Sequence, residues 1–187
     1  MTRNLDLVSS TALFETATVG PRLAISRERS IDVALALHDG VESKIVICEP
    51  EAGANVSAVS ASRLTGCSVG REWELPDIGL KIFEFRFGRI LRRGETHVFG
   101  YDITYPGVPP EPVEKLRSVV RGFRRAVHSY TLVVRFDADA RPTRVVQISQ
   151  QTPQAPFRVV GELSLHDHSA HITLTGPVIG GHGLAWS

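Results

Sequence analysis

A chain of 187 residues with 42% hydrophobic and 22% charged residues has the composition of an ordinary globular protein, which excludes a disordered chain and makes a core possible without covalent staples. Twenty-one Lys and Arg stand against 20 Asp and Glu, a formal charge of +1, so no global field draws the protein to nucleic acid or to anionic lipid, and any basic site must be local. Cys48 and Cys67 are too few for a disulfide framework and lack the paired spacing of a zinc site; no stretch approaches signal-peptide length or the roughly 20 apolar residues of a membrane span.

Along the chain, alternation with a period of two dominates. Ile31, Val33, Leu35 and Leu37 point one way, Asp32, Ala34, Ala36 and His38 the other, and Asp39-Gly40 carries the chain into Val41 to Cys48, which reads as a hairpin. Phe83, Phe85 and Phe87 alternate with Glu84 and Arg86; after Arg92-Arg93-Gly94-Glu95, Phe99, Tyr101, Ile103 and Tyr105 alternate with Val98, Gly100, Asp102 and Thr104, and these two aromatic strands are expected to pair. The proline-rich stretch 106–112 is the candidate crossover between the two halves.

For residues 113–127 two readings stay open. Val113, Leu116, Val120, Phe123 and Val127 fall at spacings of three and four behind Pro112, as in an amphipathic helix. Gly122 and the β-branched pair Val119-Val120 instead favour a short turn of helix to about Arg117 and a long strand from Phe123 to Phe136. Tyr130, Leu132, Val134 and Phe136 then alternate, a turn at 137–142 follows, and a strand through Val146 and Ile148 makes another meander. Phe157 to Val160, Glu162 to Leu165 and His171 to Thr175 read as further strands before a Gly-rich tail, Gly176 to Ser187. Eight to ten short strands make this a single all-β domain over 1–187, an antiparallel β-sandwich or, as the alternative, a barrel, with at most one short helix near 111–122.

The run Arg121-Gly122-Phe123-Arg124-Arg125-Ala126-Val127-His128-Ser129-Tyr130-Thr131-Leu132-Val133-Val134-Arg135-Phe136, then Arg141-Pro142, the closing Gly181 to Trp186, and the Leu91-Arg92-Arg93-Gly94-Glu95 turn resemble a poorly characterised all-β domain of actinobacterial proteins, over roughly 83–186. There the domain often follows a helix-turn-helix module. Here some eighty N-terminal residues read as more strand, without a helix-turn-helix. The resemblance implies an all-β fold and carries over no catalytic residue.

Several constellations bear on chemistry. Gly66-Cys67-Ser68-Val69-Gly70 has the letters of a nucleophile elbow, but an elbow needs a helix after the serine, and Pro76 ends any helix within two turns. His166, His168 and His171 could form a three-ligand metal site, with His182 as a distant fourth, if 166–168 is extended so that His166 and His168 share a face. Against it, 167–170 reads as the polar tip of a hairpin. No phosphate loop or dinucleotide fingerprint occurs, so no cofactor is expected. Lys occurs only at 44, 81 and 115, while Arg86, Arg89, Arg92 and Arg93 cluster around one turn and Arg117, Arg121, Arg124 and Arg125 around another; solvated faces are the plain reading, bidentate recognition of acidic groups the functional one.

The expectation is a cytoplasmic, non-catalytic binding module that recognises a protein partner, self-association included, through Arg89, Arg92 and Arg93, with Arg121, Arg124 and Arg125 as a second candidate set. One alternative is a small-molecule pocket lined by Phe99, Tyr101, Tyr130 and Trp186, serving a sensor or cofactor-free enzyme. The other is a metal-dependent enzyme built on the 166–171 histidines. Neither nucleic acid nor membrane is expected as a partner.

Overall fold

In the computed structural model, which describes residues 7–50, 54–106, 117–152 and 154–187, the chain is built from strands: β1 (Val8–Val19), β2 (Ile25–Ala36), β3 (Val41–Cys48), β4 (Ser60–Thr65), β5 (Ser68–Leu75), β6 (Leu80–Leu91), β7 (Thr96–Thr104), β8 (Arg117–Phe136), β9 (Val145–Gln150), β10 (Arg158–Glu162) and β11 (Ser169–Trp186). Short 3-10 turns occupy Pro21–Leu23, Val56–Ala58 and Pro76–Ile78. The strands form an eight-stranded mixed sheet in the order β10-β9-β11-β8-β1-β2-β7-β4 and a three-stranded sheet β3-β6-β5, a sandwich-like arrangement not closed into a barrel. Among the described residues no helix is long and apolar enough to cross a membrane.

The chain separates into two compact units, Met1–Leu13 with Arg29–Pro109, and Phe14–Glu28 with Pro110–Ser187. The long strands β1 and β2 each give one half to either unit. The expected crossover at 106–112 lies, apart from Pro106, outside the described residues, as do 111–116 of the expected helix; from Arg117 onward the segment is strand. β-branched and aromatic residues that are poor in a helix interior fit a pleated surface, and this decides 117–127 for β8.

In the first unit, β1-β2-β7-β4 faces β3-β6-β5 across an aromatic core. The two aromatic strands do not pair in one sheet as expected. β6 hydrogen-bonds to β3 and β5, β7 to β4 on one side, and the turn between them crosses from one sheet to the other. Their rings meet through the core instead, Phe85 stacked on Tyr101 at 4.4 Å and Phe87 tilted on Phe99 at 5.4 Å between centroids. The Asp39-Gly40 hairpin is corrected for the same reason: the turn forms, with Gly40 at φ +82°, but β2 and β3 enter different sheets. On β2 the buried side is Ser30, Asp32, Ala34 and Ala36, while Ile31 is 42% exposed. Small side chains there leave room for the facing rings.

In the second unit the expected meander of β8 and β9 is replaced by an insertion: β11 lies between them, antiparallel to both. The expected Gly-rich tail is strand nearly to its end, Trp186 standing opposite Arg117 on one side and Val145 on the other. Its glycines permit the close approach, since a Cβ on Gly183 would lie 2.0 Å from the Val119 carbonyl oxygen. Trp186 is fully buried, its indole Nε1 donating to the Leu23 carbonyl (3.0 Å) and its ring meeting Phe136 edge-on at 5.7 Å.

Candidate functional site

The β6–β7 corner of the first unit holds the leading arginines on a tightly braced backbone. The Arg92 amide donates to Glu95 Oε2 (2.9 Å), the Arg93 amide to Asp39 Oδ1 (2.9 Å), and Ala36 is bonded to two residues of the corner, Gly94 N donating to Ala36 O and Ala36 N to Glu95 O. Gly40 N also donates to Leu91 O at 3.0 Å, so the turns at 37–40 and 92–95 form one rigid piece. Gly94 takes φ +86°, a conformation nearly every other residue avoids. Arg89 donates from Nη2 to the Thr96 carbonyl (3.0 Å). Arg92 and Arg93 are exposed, and among the described residues their guanidinium groups have no ion-pair partner. On the strands that lead into and out of the corner, Ile90 is 67% and Val98 57% exposed. The Asp39 and Glu95 carboxylates are turned onto backbone amides and partly offset the cationic field.

The second arginine group is divided by its surroundings. Arg124 and Arg125 are exposed on β8, but Arg121 pairs with the buried Glu15, which also accepts from the Tyr130 hydroxyl (3.0 Å). Burial first, and then the Glu15 charge, push the Tyr130 phenol well above its ordinary value. Arg121 is thus engaged within its unit. Of the four aromatic residues considered as pocket lining, Phe99 and Tyr101 are buried in the core of the first unit, and Tyr130 and Trp186 are buried within the second.

His166 and Ser169 close a tight turn by exchanging backbone bonds at 2.9 Å, with Asp167 and His168 at φ +47° and +58°. The stretch is therefore not extended and does not align His166 with His168, His171 stands on β11 opposite Val133, and His182 Nε2 lies 2.9 Å from the Ile179 carbonyl. Among the described residues no three His, Cys, Asp or Glu side chains converge on a point that could hold a metal ion. Gly66 and Cys67 connect β4 to β5, and Ser68 to Gly70 begin β5, without a helix. Burial pushes the Cys67 thiol up, away from the nucleophilic thiolate.

Three ionic clusters in the first unit were not foreseen from the residues. Lys44 Nζ donates to Asp32 and Ser10, and Ser10 Oγ to Asp32 Oδ2 (3.0 Å), over the Phe99 ring; Asp32 Oδ1 is buried with no partner among the described residues. Lys81, 4% exposed, donates to Glu74 (2.7 Å) and lies 3.1 Å from Glu72. Asp102 lies 3.8 Å from Arg29 and 3.7 Å from Arg63. A signal was present: in a chain with so few lysines, Lys44 and Lys81 both head into cores, where a compact ammonium on an apolar stem fits.

No family model matches the chain, and no curated protein matches it. Among solved structures it is similar to the M1 zinc metallopeptidase from Deinococcus radiodurans, 14% identical with a TM-score of 0.51 over 97% of this chain and 42% of that one. It is similar too to a substituted form of a two-domain M1 zinc metallopeptidase bound to L-tryptophan, 13% identical with a TM-score of 0.52 over 97% of this chain and 43% of that one. The chain spans less than half the length of these structures, and identity this low shows a shared fold alone.

Proposed function

We propose that this chain is a non-catalytic β module that recognises an acidic surface of a protein partner through the corner bearing Arg89, Arg92 and Arg93. The observation that carries this reading is the pairing of exposed guanidinium groups with a backbone tied at both neighbouring turns, on strands that also expose Ile90 and Val98. A rigid scaffold lowers the entropic cost of ordering an interface, and arginines beside desolvated aliphatic groups are the residues that interfaces favour. The fold supports a modular role, since the solved chains that share it are more than twice as long and one is described as two-domain. The compartment we assign is the cytoplasm, a reading supported by Cys48 and Cys67, neither of which forms a disulfide.

The experiment compares wild type with the Arg89→Ser, Arg92→Ser, Arg93→Ser triple variant in quantitative pull-downs from native lysate at rising salt, with melting curves in parallel. The variant should fold within about 0.5 kcal/mol of wild type, since none of the three side chains is buried. It should lose a partner whose capture in wild type weakens as salt rises. Identical partner profiles from two equally folded proteins remove the corner as the binding face.

A further inference from the structure

The two terminal strands of the eight-stranded sheet are guarded differently. β4 exposes Ser60, Ser62, Arg63 and Thr65 beside a single large apolar side chain, Leu64, and Arg63 at φ +47° breaks its line; charge and a kink are common protections of an edge. β10, in the second unit, has a bulge between Val159 and Gly161 and charges only at its two ends, Arg158 and Glu162, with apolar side chains between them. Among the described residues it pairs with β9 alone, and the segment Phe157-Arg158-Val159-Val160-Gly161-Glu162 exposes Phe157 at 49%, Val159 at 59% and Val160 at 56%. A strand with open backbone groups and apolar side chains is a template for strand addition.

We infer that β10 is a homodimerisation edge, pairing antiparallel with β10 of a second copy of this chain about a two-fold axis through Val160. The charges select both occupant and register. With Val160 opposite itself, Arg158 of each copy stands opposite Glu162 of the other, Phe157 opposite Leu163, and Val159 opposite Gly161, where the missing side chain leaves room for the valine. An axis through Arg158 or Glu162 sets like charges face to face, and an axis through Val159 or Gly161 leaves both charges without an opposite. Only the Val160 register is self-complementary in charge and in shape, as an isologous contact requires. Glu162 already accepts from Arg144 Nε at 3.0 Å on the exposed surface. The bulge between Val159 and Gly161 confines the paired stretch to the few residues around Val160, so the association is weak and concentration-dependent. The inference concerns a different unit from the arginine corner and stands or falls apart from it.

The test is sedimentation of the 187-residue chain over a range of concentrations at low salt. Wild type should move from monomer to dimer. Arg158→Glu and Glu162→Arg each turn two attractive cross-strand pairs repulsive, and each alone should weaken association by about tenfold. Mixed together, the two variants are complementary at both pairs and should form a heterodimer about as tight as the wild-type dimer. Both positions are exposed, and unchanged melting curves exclude misfolding. A Val160→Cys variant in a Cys67→Ser background should form a covalent dimer under mild oxidation, because residues on the axis lie about 4.5–5.5 Å apart between Cα atoms; Ser164→Cys in the same background should not. A wild type that stays monomeric at every concentration, or single variants that associate as wild type does, overturn the inference.

Discussion

The two units solve the problem of a β core in different ways. The first fills the space between two sheets with rings, Phe83, Phe85, Phe87, Phe99 and Tyr101, and its β2 supplies small residues opposite them. The second gains much of its closeness from backbone: β11 is wedged between β8 and β9 over residues 181–186, with glycine at 181 and 183 where strands approach within the reach of a single Cβ. The aromatic core of the first unit is therefore expected to be sensitive to atoms removed, and β11 of the second to atoms added.

The largest effect that sharpens this contrast is expected at Phe99. Phe99→Ala should cost about 3–5 kcal/mol in chemical denaturation, whereas Thr104→Ala, an exposed position on the same strand, should stay near 0.5 kcal/mol. Equal losses would mean that the rings do not carry the first unit. The converse experiment adds one methyl group to the second unit. Gly183→Ala drives a Cβ against the Val119 carbonyl, which belongs to a paired strand and cannot swing aside; a loss of about 3 kcal/mol is expected. Gly122→Ala, on β8 with nothing within 4 Å of its Cβ position, should be tolerated within about 0.5 kcal/mol. Indistinguishable glycine variants would remove close approach as the reason for the glycines of β11.

The smallest effect expected is electrostatic and belongs to the first unit. Hydrogen bonds from Lys81 and Ser57 hold the Glu74 carboxyl below its ordinary value. Burial alone would depress the Lys81 ammonium, but the Glu74 and Glu72 hydrogen bonds and charges outweigh it and hold the ammonium above its usual value. A carboxylate whose value is lowered on folding contributes stability that is present above its unfolded value and lost as pH falls through the folded one. For the lysine, the contribution is present below its unfolded value and lost as pH rises through the folded one. Melting temperature should therefore fall on acidification below the ordinary carboxylate range, and Lys81→Met should flatten that fall. A variant with the slope of wild type would show that the cluster plays no part in it.

Much of the fold is legible in the sequence. The alternation at Phe83 to Phe87, Phe99 to Ile103 and Tyr130 to Phe136 located strands, and Asp39-Gly40 and Gly94 located turns, because side-chain period and turn chemistry act over a few residues. The sheet-to-sheet connections were not legible. A short turn joins two strands equally well whether they pair in one sheet or cross between two, and only the packing of Phe85 on Tyr101 and Phe87 on Phe99 decides for the crossing. The same holds for the candidate sites: Arg92 and Arg93 stood out as a local cluster, but the withdrawal of Arg121 to Glu15, 106 residues away, and the turn that keeps His166 and His168 from sharing a face are visible only in three dimensions.

By itself, then, the chain's sequence determined that this protein is made of strands, where most of them run and where they turn, since each of those features rests on neighbouring residues. Tertiary structure alone decided which strands pair, that β2 buries Asp32, Ala34 and Ala36 and leaves Ile31 facing outward, and that Lys44 and Lys81 sit in ionic clusters. Pairing and burial are settled between residues far apart in the chain, where packed rings and matched charges outweigh local preference.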